Sequence, residues 1–228
     1  GGLFFNVWDS TGSYTLNLGM SLNSFETTVN ADSFTALTFA ADTTLANWIA
    51  GKSSYNWNVM AVDNQGAVRV LETAAQGTTL GGKASNVVKT GASQTNSLVT
   101  SINAKLGSAN SATFATSDTG YVGKSSGGVN TINSNINWPS AALGTQDNNS
   151  FASGLLLVEA TGNASGTAVA ANTILGGGNV FAYFDSSYTL HIEAAQVPAV
   201  PEPETYAMFL AGLGLMGAIA RRRRQSQS

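Results

Sequence analysis

The single histidine of the chain, His191, is the first candidate for catalysis. Asp185 and Glu193 are close in sequence, and Glu193 shares the histidine's face of a strand because strand side chains alternate. Either carboxylate suits the orienting role in a Ser-His-Asp triad. We identify no nucleophile elbow to pair with His191. We therefore predict a surface histidine opposite Leu190 and Ile192, and we assign no catalytic residue.

Two motifs share their letters with known active or cofactor sites. The stretch SDTGY (117–121) contains the Asp-Thr-Gly of aspartic proteases, whose chemistry needs two carboxylates sharing a proton. Its partial copy, DSTG (9–12), has an inserted serine. GLGLMG (212–217) fits G-x-G-x-x-G, but a proline-rich stretch precedes it and no acidic residue follows. We interpret the first motif as a turn and the last as a chance match.

Metal chemistry has few ligands to draw on. One histidine and no cysteine leave mainly oxygen ligands. Asp63-Asn64 or Asp147-Asn148-Asn149 are the candidates for Ca²⁺, without EF-hand spacing. We predict no metal, no cofactor and no enzymatic activity.

Aromatic side chains offer a different chemistry, the stacking of sugar rings. The candidates are Trp48, Tyr55, Trp57 and Trp138. Tyr55 and Trp57 project from one face of the alternating segment 55–62, which makes them the preferred carbohydrate contacts. A pair of this kind is more often part of a hydrophobic core.

The composition narrows the class of protein. Charged residues make up 10% of the chain and hydrophobic residues 43%, and cysteine is absent. Residues 1–199 carry six Lys and Arg against eleven Asp and Glu, a formal charge of −5. This body has no basic patch, so we expect no nucleic-acid partner. A surface of hydroxyls and amides is typical of a secreted β-rich protein.

The elements that carry these residues are mostly strands. Period-2 alternation predicts strands at 13–20, a hairpin over 55–72 and a second hairpin over 179–194. Apolar residues at helical spacing predict one amphipathic helix over 84–106, ending at Gly107. The predicted fold class is mainly β, a sandwich or jelly-roll-like domain over residues 1–195, with an additional C-terminal apolar helix.

The last thirty residues have their own pattern. A proline-rich linker (196–205) leads to an uncharged segment (206–220) and four consecutive arginines, Arg221, Arg222, Arg223 and Arg224. As a helix the uncharged segment reaches about 22 Å, short of the roughly 30 Å hydrocarbon core. The arginines act as a stop-transfer cluster on the cytoplasmic side, in a basic end over 221–228. The pattern predicts a transient passage through the inner membrane.

These residues resemble the PEP-CTERM sorting tail of Gram-negative bacteria, through Pro201-Glu202-Pro203, the glycine-containing span and Arg221–Arg224. The resemblance implies that a membrane protease-transpeptidase, exosortase, recognises Pro201, Glu202 and Pro203. It also implies a setting of exopolysaccharide, biofilm or floc. A signal peptide removed before GGLFFNVW (1–8) fits the same route.

The function predicted from these features is that of an exported structural protein of the cell surface or extracellular matrix. We expect self-assembly into filaments, with Leu3, Phe4, Phe5 and Val7 adding as a strand to a neighbouring copy. Exosortase, other copies of the chain and exopolysaccharide are the expected partners. The alternatives are a secreted carbohydrate-binding module and, behind it, a secreted hydrolase.

Overall fold

The computed structural model describes residues 2–78, 82, 84–129, 143–163, 165, 170–195, 208 and 211. The chain divides into two compact units, Gly1–Ala195 and Gln196–Ser228. The described strands and the helices named below belong to the first unit. In the second, Met208 and Ala211 are helical and exposed, and the rest of the linker, of the predicted helix 206–220 and of the basic end lies outside the described residues.

The described part of the first unit is mainly β with three α-helices of seven residues or more. The strands are β1 (Gly2–Asp9), β2 (Gly12–Ser21), β3 (Ala36–Phe39), β4 (Asn56–Asp63), β5 (Val68–Ala74), β6 (Ser111–Ala115), β7 (Gly144–Thr145), β8 (Leu155–Gly162), β9 (Ala171–Ile174), β10 (Val180–Phe184) and β11 (Leu190–Ala194). The helices are α1 (Leu22–Val29), α2 (Thr43–Ile49) and α3 (Ser85–Leu106). Short 3₁₀ segments occupy Phe151–Ser153 and Leu175–Gly178.

All described strands join one antiparallel sheet. Its order is β3-β11-β10-β8-β5-β4-β1-β2-β6, with β7 added on β4 and β9 added on β8. The sheet is open and curled, like half a barrel. The mainly β prediction is confirmed, whereas the sandwich or jelly-roll architecture is replaced by this single sheet. Alternation alone marks a buried face but does not say whether a second sheet or a helix covers it.

Helices cover parts of both faces of the sheet. On the α3 face, the helix packs Val88, Leu98 and Ile102 against Met60 and Val70 of the sheet. On the opposite α1/α2 face, the two short helices contribute the buried residues Leu22, Phe25, Val29, Leu45 and Ile49 to a second apolar cluster. The central strands are therefore buried on both sides, which explains their nearly continuous apolar sequences.

The long helix α3 begins and ends where the sequence predicts. Its buried residues recur every three or four positions, as an amphipathic helix requires, and Gly107 ends it with φ of 57°. The predicted hairpins are also present, as β4–β5 and β10–β11. The helices α1 and α2 are additional. Each begins at a side-chain cap, because Ser24 N–H donates to Ser21 Oγ and Leu45 N–H donates to Asp42 Oδ1.

The N-terminal strand β1 has a different place from the predicted one. It pairs with β2 on one side and β4 on the other, within the same chain. Leu3, Phe4, Phe5 and Val7 are each at most 1% exposed. These residues therefore cannot add to a neighbouring copy while the sheet is intact, and removing them would leave the fold without a central strand. The prediction of strand donation by residues 1–8 is corrected on this ground.

A row of buried polar side chains crosses β2, β1, β4 and β5 on the α3 face. Thr15 Oγ1 donates to Asn6 Oδ1 at 2.7 Å, and Asn6 Nδ2 donates to Asn58 Oδ1 at 2.9 Å. Asn58 Nδ2 in turn donates to Glu72 Oε1. Thr15, Asn6 and Asn58 lie directly opposite one another on β2, β1 and β4, so their hydrogen bonds favour this strand register as well as satisfying buried polar atoms.

Candidate functional site

The predicted sorting residues are known from the sequence and not from the structure. Pro201, Glu202, Pro203 and Arg221 to Arg224 lie outside the described residues. Met208, which falls within the predicted apolar helix, is 75% exposed. In the part of the chain that is described, no helix combines the length and the apolar character needed to cross a membrane.

The preferred sugar contacts, Tyr55 and Trp57, are core residues. Trp57 is 0% exposed and Tyr55 is 8% exposed. Both rings pack on Phe184: the centroid separation is 5.8 Å for Tyr55 and 6.3 Å for Trp57. Trp57 Nε1 also donates to the carbonyl oxygen of Thr145, which satisfies its only polar atom. A ring enclosed in this way cannot stack on a sugar, so the prediction of carbohydrate contact through Trp57 is corrected. Trp138 lies outside the described residues.

Trp48 lies at the surface instead. It is half-buried near the C-terminal end of α2, while Trp8 and Trp57 are buried in the sheet. Lys52 places its ammonium 4.1 Å from the centroid of the Trp48 ring. The same Nζ donates to Asp9 Oδ2 at 2.7 Å and to Thr11 Oγ1 at 2.8 Å. The Trp48 ring is therefore in contact with Lys52, whose charge is balanced by Asp9 at the β1–β2 turn.

Two cavities lie along this part of the surface. One has a volume of about 390 Å³ and is lined by Thr43, Thr44, Asn47, Trp48 and Thr113. The other has a volume of about 520 Å³ and is lined by Asp9, Ser10, Thr11, Gly51, Lys52, Ser53, Ser54, Tyr55 and Asn56. Most lining residues carry a hydroxyl or amide group, and the Trp48 indole and threonine methyl groups add apolar surface in the smaller cavity, so the arrangement suits a ligand with both polar and apolar parts.

His191 is part of a surface network on β10 and β11. Its Nε2 lies 2.9 Å from Asp185 Oδ2, and its Nδ1 lies 3.2 Å from Glu193 Oε1 without a hydrogen bond. The ring stacks on Tyr183 with a centroid separation of 4.6 Å. The nearby Ser187 hydroxyl donates to Asp185 rather than to the histidine. This order of contacts is not that of a Ser-His-Asp triad, in which the histidine lies between the other two.

A second charged cluster joins α1 to the sheet. Arg69 on β5 donates through Nη1 to both Glu26 carboxylate oxygens, at 3.0 Å and 2.8 Å, and through Nη2 to Asp63 Oδ2 at 2.6 Å. The hydrogen bond from Arg69 lowers the pKa of Asp63. Glu159 on β8 lies farther away, with Oε2 at 3.9 Å from Nη1. One guanidinium therefore serves three carboxylates.

Glu159 is the carboxylate of this cluster whose pKa is raised. The residue is 6% exposed, and its Oε2 is buried without a hydrogen bond. Burial raises the pKa of Glu159 to about 7, and the neighbouring Glu26 carboxylate adds to the shift. The residues come from four separate elements, so no local motif could have revealed them. The cluster can hold a proton on Glu159, while the side chains of Glu26, Asp63 and Arg69 remain 19% to 20% exposed.

The catalytic-looking motifs are turns. Asp118 of the Asp-Thr-Gly stretch accepts the Ala115 N–H at 2.9 Å through Oδ2, and Asp9 accepts the N–H groups of Thr11 and Gly12. Residues 123–127 (GKSSG), which the sequence interpretation overlooked, fit G-x-S-x-G. No strand leads directly into them because β6 ends at Ala115, so the strand-turn-helix context of a nucleophile elbow is missing.

The candidate calcium ligands also have structural roles. Asp63 is held by Arg69, and Asn148 Oδ1 accepts the Thr145 N–H at 2.9 Å. Within the described residues, no group of three His, Cys, Asp or Glu side chains is placed to hold a metal ion.

Comparison with known proteins identifies the tail. Residues 199–224 match the family model of the PEP-CTERM protein-sorting motif. No curated protein and no solved structure matches the chain. A tail of this family implies recognition by exosortase, export, and a cell-surface or extracellular location in bacteria. The chain thus carries a PEP-CTERM sorting motif behind a β-rich body, and this motif marks it as an exported protein.

Proposed function

We propose that the protein is a non-enzymatic structural component of the bacterial cell surface or extracellular matrix, delivered there by its sorting tail. The observation that carries the proposal is the match of residues 199–224 to the sorting motif. The composition supports it, because only 10% of the residues in the full chain are charged. Such a surface interacts through hydroxyl and amide hydrogen bonds, which suits a hydrated polymer matrix.

Self-association belongs to the same proposal, with a changed location. Since β1 is an interior strand, the places for strand addition are the ends of the open sheet, β3 and β6. Among the described residues each of these strands pairs on one side only, with β11 and β2 respectively. A second copy pairing along β3 extends the sheet across molecules and gives a route to filaments.

The test of delivery uses the sorting motif itself. In a host that contains exosortase, the wild-type protein should reach the surface or medium with a mass lower than that of the chain ending at Ser228. A triple variant, P201A/E202A/P203A, should stay in the membrane fraction with the tail intact. Glu204→Gln changes the next acidic residue of the linker and serves as the control, with wild-type location. Unchanged location and mass of the triple variant would refute the proposal.

A further inference from the structure

The surface around Trp48 combines a half-buried indole with hydroxyl and amide side chains. We call it the α2 surface and define it by Thr43, Asn47, Trp48, Lys52 and Thr113. Large aromatic rings usually lie in the core, as Trp8 and Trp57 do at 3% and 0% exposure. Trp48 instead forms part of the wall of a cavity of about 390 Å³. A half-buried indole in a cavity wall offers a ligand the part of its apolar surface that Lys52 and the core do not cover.

The polar groups of the α2 surface have little net charge. Lys52 has three ammonium protons, and it has three partners, namely Asp9 Oδ2, Thr11 Oγ1 and the face of the Trp48 ring. The lysine charge is therefore compensated within the protein. Its role is to position the ring, and no positive charge is left over to attract an anionic ligand.

The two cavities beside this ion pair fit a ligand with many hydroxyl groups. Their volumes of about 390 Å³ and 520 Å³ lie within the range of small-ligand sites. Thr43, Thr44, Asn47 and Thr113 supply donors and acceptors on the Trp48 side. Ser10, Ser53 and Ser54 supply more on the Lys52 side. An indole plane surrounded by hydroxyl and amide groups matches a sugar, which has an apolar C–H face and a polar rim.

We propose that the α2 surface binds a neutral carbohydrate chain. The chain stacks one sugar ring on Trp48 and extends toward Ser53 and Ser54. The body carries a formal charge of −5 over residues 1–199, so an acidic polysaccharide is disfavoured by long-range repulsion. This inference deepens the proposed surface role and rests on it for its biological meaning. The binding itself is measured on purified protein and does not depend on delivery by the tail.

The experiment is calorimetric titration of the full chain with four neutral hexasaccharides: β-1,4-glucan, β-1,3-glucan, α-1,4-glucan and β-1,4-mannan. An alginate hexamer serves as the acidic comparator. At least one neutral ligand should bind with a Kd of about 1 mM or tighter. Trp48→Ala should weaken that binding by about tenfold or more, and Trp48→Phe should weaken it less because a smaller ring remains.

Two further variants keep the test independent of folding. Asn47 is exposed and lines the same cavity, so Asn47→Ala should weaken binding about threefold or more without disturbing the core. Ile174 is an exposed apolar residue on β9, at 36% exposure, and Ile174→Ala should bind as the wild type does.

Three results would overturn the inference. The first is the absence of binding to all four neutral ligands at about 10 mM. The second is unchanged affinity of both Trp48→Ala and Asn47→Ala. The third is a preference for alginate over every neutral ligand, which would indicate an electrostatic site elsewhere. Each of these leaves the delivery test untouched, because that test follows location and mass.

Discussion

Replacing Glu159 with glutamine should remove a pH dependence from the stability of the protein. In the folded chain, burial raises the pKa of Glu159 from its ordinary value of 4.5 to about 7, with Glu26 adding to the shift. The folded protein therefore holds this proton more tightly than the unfolded chain does. The stabilisation from the group is complete below pH 4.5 and is lost as the pH rises through 7.

The size of the effect follows from the same shift. A pKa raised from 4.5 to about 7 means that the folded protein is about 3 kcal/mol less stable with Glu159 ionised than with Glu159 protonated. Glutamine keeps the shape of the protonated carboxyl but does not titrate. The free energy of unfolding of Glu159→Gln, relative to the wild type, should rise by up to about 3 kcal/mol from pH 4.5 to pH 8.

Urea unfolding of both proteins at several pH values between 4.5 and 8 measures this difference directly. Asp9 and Asp185 have lowered pKa values, so their contributions to stability are lost as the pH falls. Subtracting the wild-type free energy of unfolding from that of the variant cancels these contributions. The exposed Gln146 gives a control, because Gln146→Ala neither adds nor removes a titrating group and its difference from the wild type should stay constant with pH. A constant difference for Glu159→Gln would refute the assignment of a raised pKa to this carboxyl.

Two further predictions concern the sheet. Asn58→Ala breaks the polar row at its centre and removes one buried hydrogen bond from Asn6 and one from Glu72, so it should lower the free energy of unfolding by about 3 kcal/mol in urea titration. A loss below about 1 kcal/mol would show that the row contributes little. The double variant A36K/T38K adds charge to the exposed side chains of the edge strand β3 and should reduce self-association in sedimentation at equal total protein. Thr27→Lys, at an exposed position of α1, is the control and should assemble as the wild type does. Unchanged self-association of A36K/T38K would rule out the β3 edge as the assembly site.

Local periodicity was sufficient for the helix α3 and for the two hairpins. In these elements the apolar spacing, the turn residues and Gly107 all agree with the final structure. Periodicity was insufficient for the sides of the strands. It placed Tyr55 and Trp57 on one face correctly, but it could not say that this face is covered by the rest of the sheet and its helices. The same alternation is compatible with a surface or a core.

The nearly continuous apolar run of β1 was a usable signal that was interpreted wrongly. A strand with apolar residues on both faces belongs in the interior of a sheet, between partners of the same chain. Asp42 and Ser21 were likewise usable as caps of α2 and α1. The Arg69 cluster had no such signal. Its charges come from residues 26, 63, 69 and 159, and only the tertiary fold brings them together.

The pairing of β3 with β11 has a consequence for how the chain folds. Leu37 pairs with Ile192, so β3 can form its strand pair only after almost all of the body has been synthesised. Contacts of such long sequence separation slow folding, because the loop between them must be closed first. During synthesis the sheet is completed only when β11 appears, and Pro201 follows Ala194 by a few residues. The last strand of the sheet and the sorting signal are therefore synthesised almost together, so the signal is never present on a chain that still lacks β11.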